Sequence, residues 1–194
     1  MPALLFLAVV LVFLPSLRNG FIDYDDAPFV TANPQVQSGL NWSSLACAFC
    51  RPVAANWHPL TTLSHMADCQ IYGLNPWGHH LTNVLLHAAS TVLVFLVFRR
   101  MTGAVWRSAV LAALFGLHPL RVESVVWISE RKDVLGGLFF MLTLWAYVRY
   151  AEGRPQASVH GRCRAPISYL LSSSFFFYSL TLVFFALGLM SKPM

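Results

Sequence analysis

Three of the eight acidic residues, Asp23, Asp25 and Asp26, fall within four positions in the stretch FIDYDD, directly after the apolar run ALLFLAVVLVFLPSL. A carboxylate held at the edge of an apolar segment can serve as a general base that takes a proton from a hydroxyl. Further charges gather in HPLRVESVVWISERKDV, which holds Arg121, Glu123, Glu130, Arg131, Lys132 and Asp133, and Lys192 follows in LMSKPM. Arginine grips a phosphate through a bidentate fork and lysine as a point charge. Together these residue types suit a transfer in which a base activates an acceptor hydroxyl while cations stabilise a departing phosphate. The same inventory also fits solvated loops whose charges pair with one another and anchor helix ends.

The elements that must position these groups belong to a membrane protein. Of 194 residues, 57% are hydrophobic and only 11% charged, a balance outside that of soluble domains. A helix needs about 20 mostly apolar residues to cross a hydrocarbon core. Five segments are candidates: residues 3–17, 79–98, 104–117, 134–150 and 167–190. The first and third are short by that standard. The apolar runs are continuous rather than alternating, which argues for helices and against a barrel. The expected fold class is therefore all-α, a polytopic integral membrane helix bundle. No Lys or Arg precedes Arg18, so the first segment reads as a span rather than a signal peptide.

Alternating spans put Arg99, Arg100, Arg107, Arg149, Arg154, Arg162 and Arg164 on one side with Glu152, and the other seven acids on the opposite side. The arginine-rich side is cytoplasmic by the positive-inside rule. This accounts for the net charge of +5 without a nucleic-acid partner, for which no motif is present. The outer side then carries two loops, residues 18–78 and 118–133. In the first, HPLTTLSHMADCQIYGL starts with a proline suited to a first helical turn. It places Leu60, Leu63, Ala67, Ile71 and Leu74 opposite His58, Thr62, His65, Cys69 and Tyr72, which predicts an amphipathic helix along the membrane surface. In the second span, His80, Asn83, His87 and Thr91 form a polar stripe that should face other helices or a wet cavity. Hydrogen bonding that merely holds the bundle together explains that stripe equally well. A metal site built from these histidines is the less favoured alternative, because His80 and His87 are two turns apart, too far to share an ion without a bend in the helix. Cys47 and Cys50 form a lone CxxC, and Cys163 lies across the membrane from them; all read as incidental thiols.

A lipid-phosphate sugar donor, with its polyprenyl tail in the bilayer and its head group at the outer leaflet, would match a base and cations at one membrane surface. The stretches GFIDYDDAPFVTANPQVQSGL, NWHPLTTLSHMADCQIYGLNPWGHHLTNVLLH, LFGLHPLRVESVVWISERKDVL, LTLWAYVRY and LGLMSKPM resemble, in order and spacing, the membrane region of bacterial tetratricopeptide-repeat glycosyltransferase-like proteins. Those are related to the transmembrane and tetratricopeptide-repeat O-mannosyltransferases of animals.

The resemblance implies a C-type glycosyltransferase fold and inverting transfer from a polyprenyl-phosphate sugar, with mannose a candidate, to a protein or glycan hydroxyl. In the wider superfamily a Phe/Tyr-Asp-Asp/Glu motif carries the catalytic carboxylate. Tyr24, Asp25 and Asp26 match it, making Asp25 the first choice for general base and Asp26 the second. Glu123, Arg131, Lys132 and Lys192 are expected at the donor, with His58 and His80 as further substrate contacts. A divalent cation, Mg or Mn, is a candidate cofactor, and no metal ligands are assigned. The implied location is a bacterial inner membrane with the active face toward the periplasm. The chain is expected to be the N-terminal part of a longer protein with further spans and repeats, and to be inactive alone. Two other functions use the same features: a non-catalytic membrane anchor for a repeat scaffold, and a lipid-linked-sugar transporter.

Overall fold

A computed structural model describes residues 1–53, 56–153 and 167–192, with side chains of the last helix described from Ser174. Arg154, Arg162, Cys163 and Arg164 lie outside the described residues. The described chain is helical, with no strand, in keeping with the expected class. Its helices are α1 (Pro2–Phe13), α2 (Pro34–Gln37), α3 (Trp42–Cys50), α4 (Pro59–Tyr72), α5 (Pro76–Thr102), α6 (Val105–Leu117), α7 (Arg121–Val126), α8 (Arg131–Glu152) and α9 (Ile167–Ser191). A 3₁₀ turn, Leu14–Arg18, extends α1, another, Ile128–Glu130, leads into α8, and a π turn covers Ala27–Thr31.

Among the described residues, three stretches are long and apolar enough to cross a membrane: Pro76–Thr102, Ile128–Glu152 and Ser174–Ser191. Pro2–Arg18 and Val105–Leu117 are shorter apolar helices. At 1.5 Å per residue the 13 residues of α6 reach only about 20 Å, well short of a ~30 Å core. α6 is a helix at the place expected for residues 104–117, and it is as short as its sequence implied.

α5 is the central column. Asn75 caps its start by accepting from the Trp77 N–H at 3.1 Å, Pro76 occupies its first turn, and Gly103 ends it at φ 69°. That left-handed conformation suits glycine after a last turn bearing Arg99 and Arg100. α1, α6 and α8 pack around α5, and α9 packs on α8. The inner half of the bundle is closed by Leu5, Val94, Phe95, Ala109, Ala112 and Met141. The outer half is closed by Val9, Phe13, Val84, Ala88, Val125 and Val134. At one close approach a Cβ on Gly116 of α6 would lie 2.6 Å from the Thr91 side chain.

Hydrogen bonds and ion pairs fix which ends share a level. Arg100 at the end of α5 pairs with Glu152 at the end of α8 at 2.7 Å. At the opposite pole Lys192, just past α9, pairs with Asp133 in the first turn of α8 at 2.5 Å, and Thr61 of α4 donates to the Ser191 carbonyl at 2.9 Å. The polypeptide 19–75 therefore caps the pole where α8 starts and α9 ends. This cap has its own apolar core of Phe29, Val30, Val36, Ala48, Met66 and Ile128.

α4 forms where its pattern predicts, with Pro59 in the first turn and Gly73 after the last, but its polar side faces inward. Thr61, Thr62, His65 and Asp68 are buried, whereas Ile71 and Leu74 are 69% and 47% exposed. A helix resting on the outer ends of other helices buries whichever face they can satisfy, and here they offer a buried arginine.

Candidate active site

The two aspartates expected to act together have different surroundings. Asp26 is 1% exposed. Its Oδ2 accepts from the Ile22 N–H and its Oδ1 from the Ser129 N–H, both at 2.9 Å. The second bond crosses 103 residues and ties the first outer loop to the second. Beside it, Tyr24 meets the Trp127 ring at a centroid distance of 6.1 Å. Asp25 is half-buried, and among the described residues its carboxylate makes no hydrogen bond or ion pair. Of the pair, it is therefore the carboxylate without an internal partner among the described residues. Asp23 is exposed.

Arg131 does not have the place expected of a phosphate ligand. It is fully buried and spent on internal partners. Its Nη1 lies 2.5 Å from Asp68 Oδ2 and also reaches the Ser64 hydroxyl at 3.2 Å. Its Nε donates to Asn83 Oδ1 at 2.7 Å and its Nη2 to the His79 carbonyl at 2.8 Å. Thr82 donates to the other Asp68 oxygen at 2.8 Å. These partners hold Arg131 in the interior, where it joins α4, α5 and α8.

Lys132 pairs with Glu130 at 2.7 Å and lies 5.8 Å from the Phe29 ring centroid, within the outer cap. Glu123 is exposed on α7. His58 and His80 are 3% and 2% exposed, and neither ring nitrogen of either residue has a hydrogen-bond partner. Burial and the Lys132 charge hold the His58 imidazole below its ordinary value. His65, equally unpartnered, is held well below by burial, Arg131 and the neighbouring histidines. The rest of the polar stripe is consumed by packing: Asn83 donates to the Val125 and Trp127 carbonyls, His87 Nε2 lies 3.0 Å from the Gly116 carbonyl, and Thr91 donates to the His87 carbonyl. Among the described residues no three or more His, Cys, Asp or Glu side chains gather to hold a metal ion.

The thiols are equally plain. Cys69 is buried, and burial with the adjacent Asp68 charge pushes it up to about 11. Cys47 accepts from Gln35 at 3.4 Å, and Cys50 is exposed.

A groove of about 550 Å³ runs between α5, α6, α8 and α9. Its walls are mainly apolar, and three glycines, Gly136, Gly137 and Gly188, leave it room. A Cβ on Gly137 would meet nothing within 4 Å. Its charged lining is Arg121, Asp133 and Lys192, with Ser124 beside them. Arg121 stacks on Phe115 at 4.5 Å and, among the described residues, has no acidic partner. Sequence reasoning placed Arg121 in the loop but did not select it. The available signal was its position, directly after the helix-ending HPL and ten residues ahead of the buried Arg131.

No protein-family model matches the chain, and neither does any solved structure. Named proteins do. The chain is 36% identical over 156 residues to Protein O-mannosyl-transferase Tmtc2 of Drosophila melanogaster, covering 76% of this chain and 16% of that one. It is 39% identical over 99 residues to Protein O-mannosyl-transferase TMTC2 of Mus musculus, covering 51% of this chain and 12% of that one. It is 32% identical over 184 residues to Protein O-mannosyl-transferase TMTC1 of Homo sapiens, covering 89% and 20%. The chain thus spans a fifth or less of the length of these animal relatives.

Proposed function

We propose that this chain is the catalytic-loop and donor-groove part of a membrane glycosyltransferase that moves a sugar, with mannose the first candidate, from a polyprenyl-phosphate donor to a protein or glycan hydroxyl. The relatives' names support the reaction class. The observation that carries the reading is the Asp26–Ser129 bond. It holds the aspartate pair against the loop that, through α7, supplies Arg121 and Ser124 to the groove.

The donor's tail would occupy the apolar groove, with its phosphate near Arg121 and Lys192. Asp25 takes the acceptor proton as the hydroxyl oxygen attacks the anomeric carbon. The bond from that carbon to the phosphate oxygen breaks, the electron pair leaves with the phosphate, and the configuration inverts. Of the two cations lining the groove, Arg121, which has no acidic partner among the described residues, is the freer to gain an interaction as the leaving charge develops. Lys192 is paired with Asp133 at 2.5 Å. A bacterial inner membrane with the aspartates toward the periplasm remains the proposed setting.

The test uses the complete protein in lipid nanodiscs with a panel of polyprenyl-phosphate sugars. Asp25→Asn should abolish transfer while leaving donor binding intact. Arg121→Gln should weaken donor binding. A protein that binds donors yet transfers nothing, with Asp25→Asn indistinguishable from wild type in every assay, would favour the transporter or anchor readings.

A further inference from the structure

We infer that Asp26 is not a second catalytic carboxylate but a positioning residue, a clasp that joins the two outer loops and thereby presents Asp25. The inference rests on the transfer reading for its functional half alone; the clasp itself rests on geometry.

Three observations carry it. Asp26 is 1% exposed, so no acceptor hydroxyl can approach it without the loop opening. Both of its oxygens are already used, each by one backbone N–H at 2.9 Å. Those donors belong to different segments: Ile22, four residues earlier, and Ser129, in the 3₁₀ turn that leads into α8. A carboxylate that accepts backbone N–H groups forms charge-assisted hydrogen bonds of about twice ordinary strength. One bond folds the first loop back on itself, and the other fixes that folded loop to the start of α8. Asp25 is the adjacent residue and begins the Ala27–Thr31 turn, its carbonyl accepting from the Phe29 N–H at 3.2 Å. Its side-chain direction is therefore set by the geometry on either side of Asp26. The Tyr24–Trp127 ring contact reinforces the same junction from the exposed side.

An amide at position 26 keeps one acceptor and turns a donor toward the other N–H. Asp26→Asn should then loosen both segments while conserving size. An alanine removes both acceptors and leaves two N–H groups unsatisfied.

The experiment is backbone hydrogen exchange on the complete protein in nanodiscs, for wild type, Asp26→Asn and Asp25→Asn, together with transfer kinetics. In wild type, the Ile22 and Ser129 amides should be protected far beyond ordinary loop amides. Asp26→Asn should speed exchange at both by roughly tenfold or more, lower kcat with little change in KM for the donor, and preserve the shape of the pH–rate profile. Asp25→Asn should leave exchange unchanged and remove turnover. The clasp is refuted by unprotected Ile22 and Ser129 amides in wild type, or by exchange in Asp26→Asn equal to wild type. A changed pH–rate profile in Asp26→Asn with unaltered exchange makes Asp26 the base and overturns the assignment. Absence of turnover by wild type on every donor counts against the transfer reading instead, and the exchange arm still decides the clasp.

Discussion

Removing Asp68 should destabilise this protein more than removing any exposed charge, because its partner cannot follow the change into water. The Arg131 side chain has no solvent exposure and that of Asp68 only 5%, with 2.5 Å between Nη1 and Oδ2. Asp68→Ala leaves a guanidinium enclosed by Asn83, Ser64 and the His79 carbonyl, neutral groups that accept hydrogen bonds but carry no charge. Breaking a buried pair from one side costs about 3–5 kcal/mol. Loss of the Thr82 bond to the same carboxylate adds about 1 kcal/mol. Replacing both partners by apolar residues, Asp68→Leu with Arg131→Met, should recover most of the loss, since the desolvation of both charges is avoided. Thermal unfolding in detergent, followed by the tryptophan signal, measures all three proteins. Asp68→Ala within about 1 kcal/mol of wild type, or a double variant less stable than Asp68→Ala, would refute a structural Arg131 and return it to the candidate donor ligands.

Three further outcomes can be checked. Gly116→Ala should cost about 1–3 kcal/mol by overpacking, because its Cβ would lie 2.6 Å from Thr91 and 2.9 Å from Val9; an unchanged melting temperature would show that α5 and α6 separate more readily than their contact implies. Gly137→Leu should fold normally, since a Cβ there meets nothing, but should weaken binding of a polyprenyl phosphate by roughly tenfold, ~1.4 kcal/mol; unimpaired binding would remove the groove as the tail site. Acidification should destabilise the outer cap. His58 and His65 have depressed values in the fold, so below about pH 6.5 the unfolded chain binds protons that the folded chain refuses, and stability falls by up to ~1.4 kcal/mol per pH unit for each imidazole. His58→Phe with His65→Phe should flatten that slope, and an unaltered slope would assign it to other groups.

The long spans were legible because hydropathy over 20 residues is a bulk property: residues 79–98 and 134–150 lie within α5 and α8. The stripe of His80, Asn83, His87 and Thr91 was also readable, and all four residues are buried. What could not be read was which of two chemically identical groups is free. Arg121 and Arg131 share one loop, and their roles part because Arg131 begins α8 facing Asp68 and Asn83, whereas Arg121 begins α7 beside the groove. Asp25 and Asp26 part in the same way, through a 2.9 Å bond to a backbone group 103 residues away. The inward polar face of α4 was missed because amphipathicity sorts side chains by polarity and does not say which side is solvent. Asp68 on that face was the available signal, since a buried carboxylate requires a buried cation.

The short α6 explains how one face of the protein can hold both a base and a leaving-group cation on the proposed reading. α5 serves as a ruler: 20 residues upward from Arg99 reach His79, about 30 Å, the thickness of a hydrocarbon core. His87 is 12 residues up, about 18 Å, and it meets the carbonyl of Gly116 near the end of α6. From there His118 to Ser129 must climb the remaining ~12 Å through α7 and the 3₁₀ turn to arrive beside Asp26. If that length of α5 marks the hydrocarbon core, Arg121, stacked on Phe115, would start the climb from within it, where a cation is costly unless it meets water or an anion, such as a donor phosphate in the groove it lines. Inversion requires the attacking hydroxyl and the departing phosphate on opposite sides of the anomeric carbon. On the proposed reading Asp25 would serve the hydroxyl side and Arg121 the phosphate side, an order that a longer α6 carrying Arg121 further along the bundle would change.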